Sequence, residues 1–162
     1  MQLLKNKNPQ IIHCSLKSIV NSFLSIVLLL SLYGCSTIMP TSEEDIALIN
    51  KAKQAKFIVL DVYHHDCESC RYIEPVFKKV QEYYSNNSKV VFLKYDLSNS
   101  FAALKSRNTA KELGLDDIYK SQRYSGIVLL INNSNKAIIE SFVAEYSYDK
   151  YIESINRKLN GP

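Results

Sequence analysis

Tryptophan is absent from the 162 residues, and cysteine and proline are scarce, at four each. Cys14, Cys35, Cys67 and Cys70 are too few for a disulfide-stapled scaffold, and a chain of this size buries enough surface to fold without staples. Pro9, Pro40, Pro75 and Pro162 leave the second half without a single internal proline, which excludes any cis X–Pro turn there. No histidine or cysteine follows Cys70, so no His/Cys metal site can be closed by a distal ligand. Internal repeats and low-complexity tracts are also missing. An excess of one charge sign is missing too, once the first 34 residues are set aside. They hold Lys5, Lys7 and Lys17 and no acid, and without them the chain is close to neutral. A basic surface for nucleic acid is therefore not expected.

Those first 34 residues have their own logic. The basic stretch leads into an apolar run, Ile19 to Leu32, that is too short for a membrane span. Small residues and Cys35 follow. Residues 1–34 are expected to be a secretory signal, and Leu32-Tyr33-Gly34-Cys35 resembles the lipobox of bacterial lipoproteins, although Tyr33 replaces the usual small residue. That resemblance implies a lipid on Cys35 and a cell-envelope location. Ser36 stands where an aspartate commonly retains lipoproteins at the inner membrane, so a Gram-negative host would place the protein at the outer membrane, facing the periplasm. Residues 35–40 form a short tether and 41–162 a single domain.

Within the domain, Thr41-Ser42-Glu43-Glu44 reads as a capping box opening a helix. Phe57 to Tyr63 (FIVLDVY) has the near-continuous apolar character of a strand buried on both faces. A helix is expected from about Cys67 to Tyr84, with Ile73, Val76, Phe77 and Val80 on one face, and a second strand from Val90 to Tyr95. Thr109 to Leu113 reads as a helical turn closed by Gly114, with room for a helix from Phe101 before it. Strands over Gly126–Ile131 and Ala137–Val143 are joined by the turn-rich Asn132-Asn133-Ser134-Asn135, and a final helix carries Tyr148, Tyr151, Ile152, Ile155 and Leu159 on one face. The order α-β-α-β-α-β-β-α predicts an α/β fold, a central mixed sheet of about four strands with helices on both faces.

The chemistry concentrates in Asp61 to Pro75, DVYHHDCESCRYIEP. Cys67 and Cys70 are three residues apart at a helix start and can close a short disulfide. So small a ring constrains the unfolded chain little and is a poor staple, whereas a helix N-terminus favours the thiolate of the leading cysteine. A reactive pair explains the spacing better. Asp66 and Glu68 flank Cys67 and disfavour its thiolate; His64 or His65, if protonated, favour it.

This segment and the element order resemble the thioredoxin superfamily over most of residues 43–160. Asp61 six residues before Cys67, Pro75 five after Cys70, and Thr109 to Leu115 match family features. The resemblance implies a thioredoxin-like fold and a thiol–disulfide oxidoreductase. Cys67 is then the nucleophile, Cys70 the resolving cysteine that completes a Cys67–Cys70 disulfide, and Asp61 the buried acid that relays a proton. No bound organic cofactor and no metal are implied. The expected partners are an exported cysteine-containing client and a membrane thiol reductant or oxidant that resets the pair. The acids beside Cys67 lean the couple towards reduction or isomerisation.

Two family features are missing. Asp66 stands where a tryptophan is usual, and no proline can occupy the cis-proline position that faces the cysteines and presents backbone to substrate. Counting from Gly114 puts Tyr119 in that substrate loop; counting from the strand GIVLLI puts Ser125 there. Two other functions stay open. One is copper or zinc delivery by the His64-His65-x-Cys67-x-x-Cys70 cluster, opposed by the expectation that adjacent strand residues face opposite ways. The other is a non-catalytic adaptor using some of the ten tyrosines beyond the signal.

Overall fold

The computed structural model describes residues 42–161. The expected signal, the lipidated Cys35, the tether and Thr41 lie outside the described residues. No helix among those described is long and apolar enough to cross a membrane.

Helix α1 (Glu43–Gln54) is capped by Ser42, whose hydroxyl accepts from the Asp45 N–H at 3.2 Å. The cap thus sits one residue later than the expected Thr41, with Asp45 as its partner. Strand β1 (Phe57–Tyr63) feeds α2 (Glu68–Tyr83), which crosses to the parallel strand β2 (Val90–Asp96). Helix α3 (Ser100–Glu112) is one continuous element that joins the helix expected from Phe101 to the turn expected at Thr109–Leu113. It ends at Gly114, φ 68°, with Leu115 N–H bonded to Ala110 O and Gly114 N–H to Lys111 O, a pairing that needs the left-handed glycine. Helix α4 (Asp116–Ser121) was not anticipated. Strands β3 (Ile127–Asn132) and β4 (Ile138–Val143) form the hairpin, and α5 (Tyr148–Asn160) closes the chain.

The sheet order is β2-β1-β3-β4, with β1 antiparallel to β3. Alternation along β1 divides the core in two. Ile58, Leu60 and Val62 pack with Val91, Leu93, Ala110, Leu113 and Ile118 beneath α1, α3 and α4. Phe57 and Val59 face the other way, onto Ile73, Phe77, Val80, Tyr151 and Ile155 of α2 and α5. Each fully buried aliphatic side chain in these layers contributes about 1.5–3 kcal/mol. Asn133 in the hairpin turn is buried, and its amide donates to the carbonyls of Ala52 at 2.8 Å and Ala55 at 2.7 Å, fastening the end of α1 to the hairpin.

Candidate active site

The site lies where β1 delivers the chain into α2. At Tyr63 the strand ends, and the backbone turns through His64–Asp66 before the helix begins. Leu97 N–H bonds Tyr63 O at 2.9 Å, and His65 N–H donates to Ser98 Oγ at 2.9 Å, so the loop after β2 braces this turn. Cys67 N–H donates to His64 O at 3.1 Å, which sets Cys67 at the N-cap of α2 with extended backbone.

Cys67 and Cys70 are joined as a disulfide, their Cα atoms 5.2 Å apart. The two sulfurs have different surroundings. Cys67 is half-buried, and its Sγ accepts the Cys70 N–H at 3.1 Å. Cys70 is 1% exposed, its sulfur 3.9 Å from Val62 O. A thiolate on Cys67 would keep the N–H bond and gain the helix N-terminal dipole, whereas Cys70 is shielded from solvent. Pro75 lies inside α2 and cannot supply the N–H that would reach the Arg71 carbonyl.

Asp61 shares the β1 face with Val59, directed towards the layer under α2 and α5. It is 2% exposed, and its Oδ1 has no hydrogen-bond partner. Burial raises its carboxyl from 3.8 to about 6; Lys94 opposes the rise, while Glu74 and Asp96 add to it. Lys94 was not anticipated. It stands opposite Asp61 in the parallel register, bonds Glu74 at 3.1 Å and lies 3.9 Å from the Tyr63 ring centre. As the one cation in the run VVFLKY it was the available signal.

His64 and His65 do not point to opposite faces. Because the strand has ended, their rings stack at 4.8 Å between centres. Asp66 N–H donates to His64 Nδ1 at 3.1 Å, and His65 Nε2 lies 3.1 Å from Asp66 Oδ1. Among the described residues, His64, His65 and Asp66 bring ligand atoms within 4.8 Å of one another and could hold a metal; an ion there would first displace those bonds. Asp66 and Glu68 are both exposed beside Cys67.

Of the two substrate-loop residues, Tyr119 lies on α4, its ring edge-on to Tyr95 at 4.2 Å and its hydroxyl donating to Ala103 O. It belongs to the layer under α3 and α4, because helix α4 and the bend after it intervene before β3. Ser125 adjoins the site, but the residue against the sulfur is Gly126. With φ 79°, a Cβ there would meet Ser69 Cβ at 3.0 Å and Cys67 Sγ at 3.3 Å. Its N–H bonds Val62 O at 2.9 Å, the carbonyl beside Cys70, and its own carbonyl accepts from Ala144 N–H at 3.0 Å. No peptide bond among the described residues is cis. Glycine thus gives the close backbone approach to the pair. Gly126→Ala is expected to destabilise the oxidised protein by about 1–2 kcal/mol, since it adds positive-φ strain to the contact. A urea midpoint equal to that of the native chain would contradict this.

The thioredoxin family model matches residues 39–110, spanning α1 to α3. No curated protein matches the sequence. Among solved structures, a Neisseria meningitidis protein studied as a candidate thioredoxin overlays with a TM-score of 0.50 at 17% identity, covering 69% of this chain and 80% of that one. The germline-specific thioredoxin Deadhead of the fruit fly Drosophila melanogaster is 22% identical, with 72% and 94% covered and a TM-score of 0.44. Oxidised thioredoxin from Plasmodium falciparum is 14% identical, with 74% and 94% covered and a TM-score of 0.44. The family match ends within α3, and the four-strand mixed sheet continues the same fold through β4 and α5. With a paired Cys67–Cys70 at the head of α2, the chain carries a thioredoxin-like domain, matched by the thioredoxin family over residues 39–110, and these findings support thiol–disulfide oxidoreductase activity.

Proposed function

We propose that the protein is a membrane-tethered, extracytoplasmic oxidoreductase that reduces or isomerises disulfides in exported proteins. The observation that carries the chemistry is the asymmetry of the pair, a half-buried Cys67 at a helix N-cap against a Cys70 that is 1% exposed. Cys67 thiolate attacks a client disulfide, one client sulfur leaves as thiolate, and a mixed disulfide forms. Cys70 then gives its proton to Asp61 and attacks Cys67 Sγ, which releases the second client thiol and leaves the Cys67–Cys70 disulfide. A membrane-borne thiol donor returns the pair to the reduced state. His64, His65, Asp66 and Glu68 set the charge around Cys67, and the exposed acids support the reducing direction. The tether rests on the signal-like segment and Cys35, with the outer membrane as its place in a Gram-negative host.

The equilibrium potential of the pair tests the direction. Poised in thiol buffers and read by alkylation shift, the full chain is expected at or below roughly −230 mV. A value near about −120 mV would make the protein an oxidant of its clients.

A further inference from the structure

Two tyrosines stand exposed at the rim of the site. Tyr72 on α2 is 59% exposed, and Tyr146, in the loop between β4 and α5, is 46% exposed. A single exposed tyrosine is ordinary. These two pack edge to face, ring centres 5.8 Å apart, and make one aromatic surface. That surface is tied to the redox pair. The Tyr146 hydroxyl donates to Ser69 Oγ at 3.3 Å, and Ser69 sits between the two cysteines. Its Cβ, with Cys67 Sγ, bounds the space over Gly126. The loop bearing Tyr146 is fixed by Ala144, whose φ of 46° is unusual outside glycine and whose N–H bonds Gly126 O. Tyr146, Ser69, Gly126 and Cys67 are therefore contiguous. On the sequence side of Cys67 away from Tyr72 stands Asp66, and Glu68 follows, both exposed acids.

A client cysteine bonded to Cys67 carries its chain neighbours within about 3.8 Å per residue, Cα to Cα. Tyr146 is one hydrogen bond from Ser69, which with Cys67 Sγ bounds the same space, so a neighbour leaving on that side meets the aromatic rim and one leaving on the other side meets Asp66 and Glu68. We propose that Tyr72 and Tyr146 form the client-recognition wall, selecting extended cysteine segments that carry an apolar, above all aromatic, side chain beside the cysteine. This rests on the oxidoreductase reading and names its substrate class.

The test uses the thiol-reduced full chain in mild detergent, with Cys14 and Cys35 replaced by serine so that only the pair carries thiols, and two peptides that differ only in having Phe or Ser next to a single cysteine. Each cysteine is carried as its mixed disulfide with thionitrobenzoate. Cys67 thiolate attacks the peptide sulfur and coloured thionitrobenzoate leaves; Cys70 then displaces the peptide thiol and closes the Cys67–Cys70 disulfide. The rate constant for the Phe peptide is expected to exceed that for the Ser peptide about tenfold. In the Tyr72→Ala/Tyr146→Ala variant the ratio should fall below about two, while Tyr146→Phe, which keeps the ring, should retain it. Unfolded chain would react with both peptides alike and pull the ratio towards one, so the double variant is compared in buffer where its urea unfolding curve shows it folded. Equal rates in the native chain, a tenfold ratio surviving in the double variant, or its loss in Tyr146→Phe would each overturn the aromatic wall. If neither peptide releases thionitrobenzoate, the oxidoreductase reading itself fails and the wall with it.

Discussion

Replacing Cys67 by serine is expected to lower the rate of disulfide exchange by about 10³-fold or more, because no other thiol of the pair can reach a client. Cys70 is 1% exposed and lies behind the N-cap, so it cannot stand in as nucleophile. Cys70→Ser should behave differently. The first attack survives, the resolving step does not, and the client remains covalently held on Cys67 as a species that a thiol reductant releases. Turnover with a small disulfide measures the first effect, and a non-reducing gel measures the second. A protein serving only as an adaptor would keep its cellular role with both cysteines replaced. Retained exchange in Cys67→Ser would move the nucleophile elsewhere and remove the basis of the assigned chemistry.

Asp61→Asn should show two effects, one on stability and one on rate. The carboxyl is buried, its Oδ1 is unpartnered, and its pKa rises from 3.8 to about 6. The folded protein therefore holds this proton more tightly than the unfolded chain. The stability contributed by the protonated group is complete below about pH 4 and is lost as the pH rises through 6. The loss amounts to about 3 kcal/mol by pH 8. Asparagine does not ionise, so the stability of the variant relative to the native protein should improve by about that amount between pH 4 and pH 8. The comparison cancels any constant cost of the buried amide. Urea unfolding of the two oxidised proteins at both pH values gives the number, and a flat difference would contradict the buried-carboxyl account. The rate effect follows from the proton. Exchange in the native protein should rise as the pH passes through about 6, where Asp61 becomes able to accept the Cys70 proton. In the variant that inflection disappears and the rate at neutral pH drops roughly 10²-fold.

Much of this was legible from local pattern because local physics decides it. The run FIVLDVY is a strand in the structure over the same seven residues, since near-continuous apolar character requires cover on both faces. Asp61 was expected to be buried for the same reason, its neighbours being apolar on either side. The helix bearing the cysteines is bounded by Cys67 and Tyr84, as its apolar spacing implied. The misses have a common cause. Counting on from Gly114 leads to Tyr119 because it cannot register the short helix α4 that takes up residues before the next strand, whereas counting back from that strand leads to Ser125, one residue from the Gly126 that meets Cys67. Sequence pattern makes Gly126 the first residue of a strand, whereas its positive φ and its contact with Cys67 depend on how β3 meets the head of α2. A strand's alternation does not apply to His64 and His65, because β1 ends at Tyr63. Tyr146 and Lys94 reach the site from distant sequence, and Asn133 looked like a turn residue among others although it holds two carbonyls of another element. Such assignments need the tertiary partner to be known.

The smallness of the ring between Cys67 and Cys70 has a thermodynamic consequence. A sequence separation of three hardly restricts the unfolded chain, so unfolded protein should gain or lose this bond nearly as a free peptide does. Oxidation, reduction and unfolding then form a closed cycle in which one leg is almost independent of the fold. The stability gap between the oxidised and reduced proteins must equal the displacement of the native couple from that peptide, about 1.4 kcal/mol for each 30 mV. Two denaturation curves, one in each redox state, thus measure the driving force without any thiol buffer. A protein that donates electrons should be the one whose oxidised form is harder to unfold.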